Sequence, residues 1–161
     1  GLNIVKCNKV SPKFSVDGRT IKYMVNSVSK ISVSKYCNYV TNVRGVNLEI
    51  AKEYLYQIEY YKYKCQKKSF FGIAMKNDSD GFELRGIGEN AFKDKVLKAD
   101  ITSFVKGKNT VSVFEGFFDF LALLSMKKMK ELNNDVIILN STGQLNKALD
   151  FIKEREYKKV F

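Results

Sequence analysis

The stretch Val111–Asp119, VSVFEGFFD, holds two carboxylates around a glycine. The apolar run before Glu115 reads as a strand, which puts Glu115 at its carboxyl end, where open α/β sheets place ligands. Gly116 suits a sharp strand-to-helix turn. Asp119 follows one helical turn later and can lie on the same side as Glu115. Two carboxylates so placed can bind Mg²⁺, or one of them can act as a general acid or base. The same spacing also suits a carboxylate that caps the start of a helix.

Three other groups can meet an anion or a base. Lys76, Arg85, Lys93, Lys95 and Lys98 form a basic stretch around a hairpin, a pattern that a solvated face also produces. In the loop LNSTGQ at 139–144, Asn140, Ser141 and Thr142 can present backbone N–H groups to a phosphate at a helix N-terminus, or simply cap that helix. Tyrosines 54, 56, 60, 61 and 63 can stack on bases. Their alternation also fits a half-buried strand, which explains most of them.

Composition narrows the chemistry. The chain has no histidine, which excludes Ser-His-Asp and Cys-His catalysis and His-ligated zinc. Cys7, Cys37 and Cys65 are far from any CxxC spacing and read as reduced thiols of a cytoplasmic protein. Lys plus Arg total 28 against 17 Asp plus Glu, a net charge of +11 that favours a polyanionic partner such as nucleic acid. Twenty-four of the 28 are lysines, so arginine is scarce. No run of about 18 apolar residues occurs, and no membrane partner is expected. The chain opens Gly1-Leu2 without methionine, and its natural start is expected to lie upstream.

The elements that must position these groups follow from periodicity. Lys13–Val16 and Thr20–Val25 flank Asp17-Gly18 as a hairpin. Ser32–Val43 has helical spacing, stopped at Arg44-Gly45 with the glycine left-handed. Asn47 caps a second short helix, Leu48–Tyr54. Strands are predicted over 56–64, 69–76, 82–85 and 101–105, with 86–99 as lysine-rich loop or short helix. The last third reads β-α-β-α-β: strand 110–115, helix 117–130, strand 135–139, helix 146–154 and strand 158–161. That order predicts parallel strands with right-handed crossovers.

FEGFFDFLALLS resembles the first motif of TOPRIM domains, a strand ending in Glu-Gly followed by an aromatic and Asp. DVIILNSTG at 135–143 resembles that family's next strand and small-residue loop. YVTNVRGVNLEIAKEY at 39–54 and FFGIAMKNDSDGFELRG at 70–86 resemble the helical hairpin and strand pair of the bacterial primase catalytic core. Together the likeness covers nearly all of 32–161 and is nearest to TOPRIM proteins of mobile genetic elements, which usually carry an upstream zinc finger. It implies an α+β N-terminal lobe over 1–105 and a partial, Rossmann-like α/β lobe with a parallel sheet over 106–161. It further implies Glu115 as acid/base or metal-proximal residue and Glu115 and Asp119 as ligands of Mg²⁺ or Mn²⁺. The basic stretch becomes a ridge for template or nucleotide phosphates. The implied activity is primer synthesis from nucleoside triphosphates on a single-stranded DNA template, with a helicase as a further partner. The family's Asp-x-Asp pair follows the third strand, beyond Phe161, so the 161-residue chain is expected to be inactive alone. A TOPRIM nuclease or topoisomerase-like enzyme, and a non-catalytic nucleic-acid-binding module of a mobile element, are the alternatives.

Overall fold

Period-two alternation of apolar side chains builds the first sheet. The computed structural model describes residues 15–16, 19–20, 23–62, 65–88 and 91–161. Strands β1 (Ser15–Val16) and β2 (Arg19–Thr20) pair antiparallel, with Ser15 opposite Thr20; the turn dipeptide Asp17-Gly18 lies outside the described residues. A five-stranded antiparallel sheet follows in the order β3 (Tyr23–Lys30), β4 (Leu55–Lys62), β5 (Cys65–Lys76), β6 (Phe82–Arg85), β7 (Lys93–Val96). Its two faces separate cleanly. Ile58, Tyr60, Ala74, Leu84 and Val96 pack together on one side. Leu55, Ile73 and Met75 point to the other, into the main core.

Strand β7 falls where a loop or short helix is expected. The tetrapeptide Lys93-Asp94-Lys95-Val96 alternates, with both lysines exposed and Val96 buried. Its exposed lysines hide the period, and pairing of Phe82 with Val96 supplies the order.

Between β3 and β4, helix α1 (Ser34–Asn38) runs on into a π-helical turn, Tyr39–Val43. The Thr41 hydroxyl donates back to the Cys37 carbonyl at 3.0 Å, the kind of side-chain competition that loosens a helix. Gly45 takes φ +64°, the left-handed stop expected of it. Helix α2 (Leu48–Tyr54) is capped by Asn47, whose side-chain oxygen accepts from the Glu49 and Ile50 amides at 2.9 and 3.2 Å.

The second sheet has four strands in the order β11 (Lys159–Val160), β9 (Thr110–Phe114), β10 (Asp135–Ile138), β8 (Thr102–Phe104). As expected, β9 runs parallel to both β10 and β11. The expected Rossmann-like parallel lobe is nevertheless not what forms. Strand β8 lies antiparallel against β10, with Val136 opposite Phe104, so the sheet is mixed. The physical reason is the short link from β8 to β9. A parallel neighbour needs a crossover of about a dozen residues or more, whereas 105–109 only turns the chain round. Strand β8 also draws residues before 106 into this sheet.

Helix α3 (Phe117–Lys127) joins the two sheets. Phe117, Phe120, Leu121 and Leu124 share one cluster with Leu55, Ile73 and Met75 of the first sheet and Val136 and Ile138 of the second. Helix α4 (Leu145–Glu154) covers the opposite face of the second sheet, where Ala148 meets Ile101, Val111 and Ile137. All four residues of β10 are buried, as its wholly apolar centre predicts.

Asp135 anchors the start of β10. Its carboxylate accepts from the Lys106 and Lys108 amides at 2.9 and 3.1 Å and from the Tyr157 hydroxyl at 2.7 Å. Burial works against its charge, but these donors prevail and hold it below the usual carboxylate range. Burial, and then Asp135 itself, push Tyr157 up to about 12. The Asp135 contribution is therefore present above the unfolded carboxylate value and lost as pH falls through the folded one. The Tyr157 contribution is complete below the unfolded value of 10.0 and lost as pH rises towards about 12. Tyr157→Phe is expected to cost about 2 kcal/mol at neutral pH and to flatten the alkaline fall in stability. Melting temperatures of both proteins across that alkaline range check it, and parallel curves would refute the pairing.

Among the described residues, no helix is long and apolar enough to cross a membrane.

Candidate functional site

Glu115 emerges from the carboxyl end of β9, exposed, and its carboxylate meets no described partner. Gly116 is extended, with φ −139° and ψ 161°, a conformation open to any residue, so the turn does not require glycine's freedom. What glycine leaves is room. A Cβ there would lie 3.4 Å from the Asp119 carboxylate and 4.0 Å from an Arg85 guanidinium nitrogen. Asp119 accepts the Gly116 amide at 3.0 Å, closing the first turn of α3. That is the capping role its spacing allowed.

Two arginines flank this turn. Arg85 ends β6 and is half-buried, with its guanidinium 5.9 Å from the Phe117 ring centroid. Arg44 follows the π-helical turn and places its guanidinium 4.4 Å from the Phe118 centroid. The two rings themselves lie 4.7 Å apart, and Tyr39 meets Phe118 edge-on at 6.0 Å. Burial and then the charge of Arg44 pull the Arg85 pKa below its ordinary value, with Tyr39, Asp119 and Glu83 opposing. Among the described residues neither arginine has a salt bridge or hydrogen bond. Two like charges are thus held together on apolar ring faces with no counter-carboxylate in contact, which favours an anion arriving from solution.

The rest of the basic stretch is not gathered there. Lys93 stands opposite Arg85 in the β6–β7 register, and Lys95 opposite Glu83. Lys76 is at the far end of that strand pair, opposite Phe82, and is held by Asp80 at 2.7 Å. Lys98, exposed, follows β7 at that same far end.

Asn140, Ser141 and Thr142 follow β10 on the same sheet edge as Glu115, since Leu139 donates to the Phe114 carbonyl at 2.8 Å. Asn140 faces inward, however. It is buried with φ +63°, and its amide donates to the Asp100 carbonyl and the Thr102 hydroxyl, both at 2.9 Å. Ser141 and Thr142 are more open, and Thr142–Gln144 form a short 3₁₀ turn before α4. Asn140 thus serves the interior, and its neighbours face outward.

A buried polar hub escaped the sequence reading. The Asn77 amide donates to Glu83 at 3.2 Å and to the Lys98 carbonyl at 2.8 Å, while its oxygen accepts from Ser79 and Gly81. Asp100, 1% exposed, accepts from Ser79 and Lys147 and from the Ile101 amide. This hub ties the β5–β6 hairpin to α4. The sequence showed only a turn-forming cluster and a scattered lysine.

The donor set at the strand end is Glu115 and a capping Asp119. No group of three or more acidic, cysteine or histidine side chains able to hold a metal occurs among the described residues. Mg²⁺ needs near-octahedral oxygen ligation and dehydrates reluctantly. These two side chains alone do not fit it.

Residues 25–96 match a family described as a domain of unknown function (DUF8464). The matched stretch takes in most of the five-stranded sheet with α1 and α2, and so both arginines, but not Glu115. No curated protein and no solved structure matches the chain.

Proposed function

We propose that this chain is the nucleic-acid- and nucleotide-phosphate-binding part of a primase-like nucleotidyltransferase, acting in the cytoplasm on single-stranded DNA. The observation that carries the reading is the convergence of Arg44 and Arg85 on the Glu115-Gly116 turn without a counter-ion in contact. Arginine is scarce in this sequence, and two of its four copies meet at one place. A guanidinium offers bidentate geometry that a lysine lacks. The likeness of 39–54, 70–86 and 111–119 to the primase core supports the same assignment. In it, Arg44 and Arg85 hold phosphate oxygens and Glu115 faces the reacting end. Mg²⁺ or Mn²⁺, where further acidic ligands join Glu115, would neutralise charge on the transferred phosphoryl group.

The small donor set favours a second reading, a nucleic-acid-binding module without catalysis. The deciding experiment uses the longest natural form of the protein. Under the first reading Glu115→Gln abolishes primer synthesis and leaves single-stranded DNA affinity within about twofold, since an exposed carboxylate adds no phosphate contact. The 161-residue chain is expected to bind Mg²⁺ weakly and to make no primer. Full synthesis by the Glu115→Gln variant, or synthesis by the bare chain, would overturn this assignment.

A further inference from the structure

The helical layer covers only part of the face of the five-stranded sheet that it packs on. Ile73 and Met75 on β5 are 0% and 1% exposed beneath it. Phe71, on the same face two residues earlier, is 53% exposed. A half-exposed phenylalanine in the middle strand of a sheet is costly in water and calls for an occupant. Around it lies a cleft of about 290 Å³ lined by Ser27, Ser29, Lys35, Gln57, Glu59 and Phe71, among others. Tyr61 stands on the same face, one step along β4 from Glu59, which pairs directly with Phe71.

We propose that single-stranded nucleic acid crosses this face with bases stacked on Phe71 and Tyr61. The charge around the cleft selects that occupant. The Lys35 ammonium lies 6.0 Å from the Phe71 centroid. Lys62 and Lys68 are exposed at the hairpin end beside Tyr61, their ammonium groups 5.9 and 5.6 Å from the Phe70 ring. None of the three pairs with a carboxylate among the described residues. Cations at both ends with aromatic rings between them match a strand whose phosphates and bases alternate. Glu59 is the one carboxylate among the lining residues, and Asn26 holds it at 2.7 Å. A negative floor repels a phosphate and tolerates a base, whose exocyclic N–H groups can donate to it. Ser27 and Ser29 add hydroxyls able to meet base edges on the β3 side. This surface is separate from the arginine pair and does not depend on catalysis.

The chain has no tryptophan, so Phe71→Trp places a single reporter on the proposed platform. Oligodeoxythymidine is expected to quench its emission as bases stack. With fluorescein-labelled oligodeoxythymidine, Phe71→Ala is expected to weaken binding about tenfold while leaving the slope of affinity against salt unchanged. Lys35→Ala is expected to reduce that slope by about one phosphate. Far-UV circular dichroism checks that Phe71→Ala is folded; if it is not, the Phe71→Trp signal decides alone. Emission unaltered by saturating oligonucleotide, or Phe71→Ala affinity within about twofold of the parent, overturns the proposal. So does a blue shift that grows with protein concentration without DNA, which would assign the face to a second copy of the chain. Quenching of Phe71→Trp that persists when Arg44 and Arg85 are both alanine would show the platform independently of the phosphate site.

Discussion

Phe120→Ala is expected to cost about 4 kcal/mol of stability, the upper range for a buried aromatic. Phe120 is 1% exposed and sits where three elements meet. Its ring is 5.1 Å from Tyr54 at the end of α2, 5.4 Å from Phe104 on β8 and 5.5 Å from Phe114 on β9. Truncation removes all three contacts and leaves a void that α3 cannot close without withdrawing from one sheet. Against a total near 10 kcal/mol, the loss is large. Urea denaturation with circular dichroism measures it, and a loss under about 1 kcal/mol would mean the cluster is not packed as described. The same titration tests the shared core. Because α3 joins both sheets in one cluster, unfolding is expected in a single transition by fluorescence and by circular dichroism. Two separated transitions would show that the sheets fold on their own.

What the sequence disclosed and what it concealed divide along local and non-local lines. Asn47 announced its cap and Gly45 its left-handed stop, because both act within a few residues of chain. DVII announced a doubly covered strand because four apolar residues in a row leave no solvent face. The direction of β8 was not legible. Nothing in Thr102–Phe104 says that β10 rather than β9 will be its neighbour, and that choice makes the sheet mixed instead of parallel. Strand β7 was concealed by lysines that face water. The site shows the same divide. Glu115 could be placed at a strand end from local pattern, and Asp119 could be suspected as a cap. Arg44 looked like nothing more than the end of a helix. Its approach to Phe118 depends on packing across 74 residues of sequence. Its one clue was its type, an arginine in a chain that otherwise uses lysine. Asn140 misled in the opposite way, since a polar residue after a strand reads as loop, yet here it is turned inward.

Replacing Arg44 and Arg85 together with alanine is expected to lower affinity for single-stranded DNA about 100-fold at low salt. Each charge-assisted contact to a phosphate is worth about 1.5 to 3 kcal/mol, and two are removed. The logarithmic salt slope should fall by between about one and two, since single strands release about 0.7 counterion per phosphate neutralised. Lysine at both positions is expected to restore the slope but only part of the affinity, because a point charge cannot reproduce a bidentate fork. Lys76→Ala serves as the comparison. Its ammonium is already held by Asp80 at the far end of the strand pair, so its removal should change affinity by less than about threefold, the scale of an exposed ion pair. Stability discriminates further. Arg85 is half-buried beside a like charge, so relieving that repulsion offsets lost packing on Phe117, and the double variant should melt within a few degrees of the parent. Anisotropy titrations of a labelled oligonucleotide at several salt concentrations read affinity and slope together. A double variant that binds with unchanged slope would remove the arginine pair from the phosphate path. A slope that falls equally for Lys76→Ala would mean that the basic surface acts as a diffuse field, with no site at the Glu115 turn.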